Sequence, residues 1–316
     1  MPGKRALTIG LALLLFWSVP GYAQESVVEA HAAAGVTAFR QGDYEGAEKA
    51  FKAAVEEAEK LGPDAPILAT NLNNLAALYK IQGKFGAAEP LFERALAIRE
   101  KALGPDHPNV ATTLNNLAVL YKSQGKLAEA VPLYERALVI REKHFGRDHP
   151  SVATQLNNLA TILLVLNHLD KAGAMLERAL AIYEKALGPD HPGVAGTLSN
   201  LAQLRRAQGR HADEASLLAR ALAIFEKAHG PNHPNAGKTV AALAEALHRQ
   251  GLAAQAERQF KRAISVLEST LGAEDASLAP VLEDYAKLLR GTDRAEAARA
   301  LEARAKAIRE KNPEKK

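Results

Sequence analysis

The sequence has no cysteine, one tryptophan and two methionines, and aromatic residues make up only 5% of its 316 positions. Without Cys there is no disulfide, no thiolate nucleophile and no Cys-ligated zinc or iron–sulfur site. The scarcity of aromatic rings argues against a stacking platform for single-stranded nucleic acid. Neither G-x-S-x-G nor H-E-x-x-H occurs, which removes a nucleophile elbow and a zincin helix. No Asn-x-Ser/Thr acceptor occurs either, so an exported form needs no N-glycan. Beyond the first 23 residues no apolar run approaches the roughly 20 residues that a membrane-spanning helix requires. Apolar residues at 47% and charged residues at 24% are ordinary for a folded chain and unlike a disordered one.

The start of the chain reads differently from the rest. Lys4 and Arg5 precede the apolar run Ala6–Trp17, and Gly21 and Ala23 place small residues on an A-x-A-like spacing. This is the layout of a secretory signal peptide over 1–23, cut after Ala23. The expectation is an exported protein, in a bacterial periplasm or secreted, with no integral membrane segment once the leader is removed. The 40 basic and 36 acidic residues give a net charge of +4. Loss of Lys4 and Arg5 leaves a surplus of two, too little for a global field that would call for nucleic acid.

A 42-residue phrase organises the remainder. Residues 107–148 and 149–190 are near copies, 65–106 and 191–232 repeat the phrase, and looser versions occupy 24–64, 233–275 and 276–311. A fixed period of this size specifies a solenoid, here seven units over 24–311 with a polar tail at 312–316. Each unit reads as two helices. In the third, Pro108 sits at a helix start, where its missing N–H costs nothing. Val110, Leu114, Leu117, Ala118 and Tyr121 follow at helical spacing. Gly125 makes the turn. A second helix runs from about Leu127 to Phe145, with Pro132 near its first turn and Gly146 as a left-handed cap.

The small residues fall in columns: Ala76, Ala118, Ala160, Ala202 and Ala244; Ala47, Ala88, Ala130, Ala172 and Ala256; Ala54, Ala95, Ala137, Ala179, Ala221 and Ala263. With the turn glycines 42, 83, 125, 209 and 251 they resemble the tetratricopeptide repeat, and the L-G-P-D-H-P connection is similar to the kinesin light chain type. The resemblance implies an all-α, right-handed superhelical solenoid of helix pairs. It also implies a concave groove, lined by first helices, in which peptides lie.

The groove columns can be read off on that basis. They hold the Asn pairs Asn73-Asn74, Asn115-Asn116 and Asn157-Asn158, with Asn200 after Ser199 in the fifth unit. An amide offers donor and acceptor together and can hold a peptide backbone regardless of side chains; equally, one Asn of each pair can bond the neighbouring repeat. The further columns carry Lys80, Lys122, Leu164, Arg206, Lys238 and Arg249, with Glu245 the single acid. Such a wall favours an acidic ligand, and Leu164 with Val165 offers an apolar seat. Columns that would clamp a terminal carboxylate carry Asn, Ala or Val, against that mode.

The expected function is therefore a non-catalytic scaffold or adaptor that binds an extended, acidic segment of another protein. The alternative is a structural subunit of an envelope or polysaccharide-export assembly that works through its outer faces. No catalytic residue, metal ligand or cofactor is assigned. His107, His149, His191 and His233 recur beside Asp106, Asp148 and Asp190, but successive rungs stand about 10 Å apart, too far for one zinc ion with bonds of about 2 Å. They read as helix caps. The phosphate-loop look of Asn235–Thr239 fails because residue 232 is Asn and no strand precedes it. Glu56 and Glu57 read as solvent-facing charges. The fifth unit departs most: Arg205 replaces a Tyr and Glu214 a small Ala, either as a mutual pair or as locally altered packing. Asn167 replaces the turn glycine of the fourth.

Overall fold

The computed structural model describes residues 20–312, so most of the expected leader and residues 313–316 of the tail lie outside the described residues. Helices are the only regular elements among them, in seven antiparallel pairs: α1 (Pro20–Arg40) with α2 (Tyr44–Glu59), α3 (Pro66–Ile81) with α4 (Phe85–Leu103), and α5 (Pro108–Ser123) with α6 (Leu127–Phe145). Then follow α7 (Pro150–Val165) with α8 (Leu169–Leu187), α9 (Pro192–Ala207) with α10 (His211–His229), α11 (Pro234–Arg249) with α12 (Ala253–Leu271), and α13 (Leu278–Arg290) with α14 (Ala295–Lys311).

The alanine columns explain the close pairing. Ala118, Ala130 and Ala137 are fully buried, as are their counterparts through most of the chain, and a larger side chain there would push the axes apart. Between them runs a bulky column, Phe51, Phe92, Tyr134, Leu176, Leu218 and Phe260, each at most 4% exposed. Odd-numbered helices also approach one another across the repeats, at α1/α3, α3/α5, α7/α9 and α11/α13, more closely than any even-numbered pair. The odd helices therefore form the inner wall of the curve.

The turns obey strict backbone demands. Gly125 adopts a φ of 74°, and Asn167, standing in the same column, takes 60°, a region that Asn tolerates better than other non-glycine residues. Gly146 differs from the expected left-handed cap. Its φ of 84° and ψ of 159° lie in an extended mirror region essentially closed to L side chains, which requires glycine more strictly than a left-handed cap would. Pro132 also sits further in than expected, as the sixth residue of α6. Its ring therefore removes one helical hydrogen bond from the second turn.

The histidine columns cap helices. His107, His149, His191 and His233 accept through Nδ1 from the N–H two residues on, at 3.0–3.2 Å. The neighbouring aspartates serve another purpose: Asp64, Asp106, Asp148 and Asp190 pair with Lys101, Lys143, Lys185 and Lys227 of the next unit. A parallel row joins Arg136 to Glu100, Arg178 to Glu142, Arg220 to Glu184, Arg262 to Glu226 and Arg304 to Glu268. These pairs are exposed or partly exposed, so each adds little by itself. Their regularity fixes one register for every junction.

Two carboxylates are held more firmly. Lys52 and Lys84 hold the Glu48 carboxyl down at about 2, and Arg294 and Lys261 do the same for Glu257. A carboxyl depressed by folding contributes stability above its ordinary pKa near 4.5 and loses that contribution as pH falls towards 2. The melting temperature should therefore drop between about pH 4.5 and pH 2, and a Glu48→Gln, Glu257→Gln double variant should show a shallower drop in a calorimetric pH series.

Candidate functional site: the concave groove

The Asn pairs form a ladder between repeats. Asn116 donates to Asn73 Oδ1 at 3.0 Å, Asn158 to Asn115 at 2.8 Å and Asn200 to Asn157 at 3.1 Å. Asn157 also donates to Thr197 Oγ1 at 2.8 Å and to the Ala153 carbonyl. Much of the amide capacity that a peptide backbone would use is thus spent on the stack. Asn74 differs: its side chain makes no hydrogen bond among the described residues and lines an apolar cleft with Val36, Phe39 and Ile81.

Beneath the ladder the filling changes along the chain. In the second unit Arg99, from α4, reaches under the groove and donates to Thr113 Oγ1 at 2.7 Å, Thr70 Oγ1 at 3.3 Å and the Asn109 carbonyl. Arg141 takes that place in the third unit, Tyr183 in the fourth and Phe225 in the fifth. Tyr183 ends on Thr154, with 2.7 Å between the two hydroxyls, and Phe225 carries no polar head at all. Above this shortening series the fifth unit also trims the wall: Gly196 stands where Thr70, Thr112 and Thr154 stand, and Ser199 replaces an Asn. The result is a crevice of about 530 Å³ between α7, α9 and α11, floored by Leu218 and Phe225 and rimmed by Asn200, Gln203 and Lys238.

The expected balance of five groove cations against one acid needs correction. Glu214, from α10, is 3% exposed and enters the same crevice. Arg249 bonds it at 2.8 Å and also bonds Glu245, while Arg206 stands 3.5 Å from Glu245. Burial pushes the Glu245 carboxyl up, and Asp284 adds to the effect against the pull of Arg249 and Arg206. Arg206 and Arg249 are thus largely engaged. Arg205 pairs with Glu177 and Gln208, so Arg205 and Glu214 are not partners.

Lys80, Lys122 and Lys238 remain, none with a carboxylate within 4 Å among the described residues. Lys122 donates only to Thr161, at 2.9 Å. Burial lowers the pKa of both Lys80 and Lys122, the mark of cations desolvated without a counter-ion. Leu164 is half-buried against the core, and Val165 is 65% exposed, so the two form no pocket. The crevice went unrecognised in the sequence, although its signal was present in the departures at residues 193, 196 and 199.

The tetratricopeptide repeat model matches residues 27–101, 72–143, 123–185, 151–227 and 215–269. The chain belongs to the tetratricopeptide-repeat family, a fold of protein-interaction scaffolds. Among solved structures it is similar to a putative kinesin light chain with nearly identical TPR-like repeats from Podosopora anserina. That likeness has 26% identity and a TM-score of 0.55, over 66% of this chain and 97% of the other. BtubC (BKLC) from P. vanneervenii matches at 24% identity over 78% of this chain and 92% of its own, with a TM-score of 0.58. The apo form of RapI shares the fold at 16% identity and a TM-score of 0.70, over 90% and 98% of the two chains. No curated protein sequence matches the chain.

The ladder makes a direct prediction. Asn157→Ala removes three side-chain hydrogen bonds and leaves the Asn200 amide without its acceptor, and should cost about 1–3 kcal/mol in chemical denaturation. Asn74→Ala breaks no hydrogen bond and should cost under about 0.5 kcal/mol.

Proposed function

We propose that this chain is a non-catalytic adaptor whose concave groove binds an extended, acidic segment of another protein. The observation that carries the reading is the pair of groove lysines Lys80 and Lys122, with no carboxylate within 4 Å among the described residues, beside Lys238, which feels Asp275 only at longer range. Elsewhere on the surface, lysines and arginines are matched to carboxylates of the adjacent repeat again and again. Cations inside a concave wall attract carboxylates more strongly than the same cations on an open face, and burial partly desolvates Lys80 and Lys122. An anionic ligand would supply the counter-charge that the fold leaves out.

The test is binding of the residue 24–316 protein to an array of acidic, neutral and basic peptides of about twelve residues, an extended span of about 40 Å. Acidic peptides should bind best, and added salt should weaken them. A Lys80→Glu, Lys122→Glu, Lys238→Glu variant should lose at least about tenfold in affinity, or about 1.4 kcal/mol, at unchanged melting temperature. Indifference to peptide charge would end this reading. A physiological partner retained equally by wild type and variant would move the function to the outer faces, as expected of an envelope-assembly subunit.

Export is part of the same proposal, since the charged start and the apolar run at 6–17 have the layout of a secretory leader. Gln24, the first residue after the expected cut, already bonds Glu57 on α2, so the cut would leave this contact in place. Mass spectrometry of the protein isolated from its host should find Gln24 at the amino terminus and the protein in the exported fraction.

A further inference from the structure

Among the described residues the groove opens in two separate places, with the paired amides of the Asn ladder lying between them. The first is the apolar cleft of about 170 Å³ between α1 and α3, where Val36, Phe39, Ala77 and Ile81 face one another and Ile81 is 50% exposed. The second is the larger crevice between α7, α9 and α11, apolar at its floor. The Asn ladder and Lys122 occupy the stretch between, on α3, α5 and α7. Its amides are paired to one another, and Arg99 and the Thr column fill the space below.

We propose that the groove reads one extended peptide at two points, with a bulky apolar side chain in each opening and carboxylates over Lys80 and Lys122 between them. This rests on the peptide-binding reading above and adds to it the spacing and chemistry of the ligand. Three repeat steps separate α3 from α9, or about 25–30 Å at ordinary interhelix spacings. An extended chain advances about 3.3 Å per residue, so the two anchors lie about eight or nine residues apart. The closed ladder acts as a spacer: having few free amides, it grips the intervening backbone weakly and leaves selectivity to the two ends. Two tethered contacts reinforce each other only when the linker matches the span, so the groove measures length.

The second opening is a local invention of the fifth unit. A Cβ added to Gly196 would meet nothing within 4 Å, and Gly196 has no positive φ, so a side chain there enters free space in an ordinary helical conformation. Gly196→Thr puts back the residue that stands at Thr154 in the preceding unit and narrows the crevice, its Cβ meeting no neighbour, although Phe225 offers no hydroxyl in the place of Tyr183. Replacing a mid-helix glycine should hold or raise the melting temperature, which separates loss of the site from loss of the fold. At the first opening Ile81→Glu places a charge on a half-exposed position.

The probes are labelled acidic peptides of about fourteen residues, long enough for both openings. Each carries two tryptophans separated by about four, eight or twelve residues, beside peptides with one tryptophan, and binding is read by fluorescence anisotropy. The eight-residue spacing should bind at least about tenfold tighter than the single-tryptophan peptides and the shortest spacing. Gly196→Thr and Ile81→Glu should each reduce it to the single-tryptophan level. Affinity that ignores spacing, or that survives Gly196→Thr, overturns the two-point reading. If in that case the charge-reversed lysine variant still loses binding, the acidic-groove reading stands by itself. If no acidic peptide binds the wild type, both readings fall.

Discussion

A single helix pair of this chain cannot bury its own apolar face, and the structure follows from that constraint. The alanine columns bring two helices close, but the bulky column from Phe51 to Phe260 finds its other wall only in the next pair. Stability in such a stack is a sum of repeat and junction terms, so each junction must resemble the last. The charged rows show how this is achieved. Arg136 meets Glu100 and Arg178 meets Glu142 at one constant sequence offset. A one-turn slip would break every such pair together, so the rows specify register although each pair is individually weak. The last unit closes the series by other means. Its proline, Pro280, stands third in α13 instead of first, and Asp275 braces the turn before the helix by accepting from the N–H and the hydroxyl of Ser277.

Most of the fold could be read from the period because it depends on local rules. Helix starts at Pro108 or Pro150, turns at Gly125 and buried stripes through Leu114 and Leu117 are properties of short segments. The family resemblance located the inner wall in the same way. What the sequence did not show depends on distances between units. Nothing in the order of residues says that Glu214 meets Arg249 across 35 positions, or that Arg205 turns to Glu177 instead. The Asn pair is the instructive case. Its chemistry suited a ligand and a neighbour equally, and only the placement of Asn116 opposite Asn73 shows that the neighbouring repeat takes up the amide.

The crevice was half legible. The residues that open it are departures from the repeated phrase: Gly196 for Thr, Ser199 for Asn, and Tyr183 then Phe225 where arginines stood, while Gly193 gives way to the Tyr183 ring. Each change alone reads as tolerated drift. Together they remove volume from one face of one junction, and that sum needs the three-dimensional arrangement. In a protein made of copies, locally poor agreement with the repeat marks the surface freed from structural duty.

A repeat stack and a binding groove place opposed demands on the same side chains. A groove residue that satisfies its neighbour is unavailable to a ligand, and one left unsatisfied weakens the junction. The second to fourth units favour the stack: Arg99 fills the floor and the amides close on one another. The fifth unit favours an opening and compensates at the edge of that crevice, where the buried Glu214 binds Arg249 of the next repeat. That ion pair joins α10 to α11 where the ladder ends at Asn200, because Ala242 occupies the position that would continue it. Removing one member of a buried pair costs far more than an exposed pair is worth, so this junction can lose the ladder's next rung and still hold. The same stretch thus combines an opening of the inner wall with a buried ion pair that ties its two helices together, as a rigid scaffold must if it is to present a cavity without closing over it.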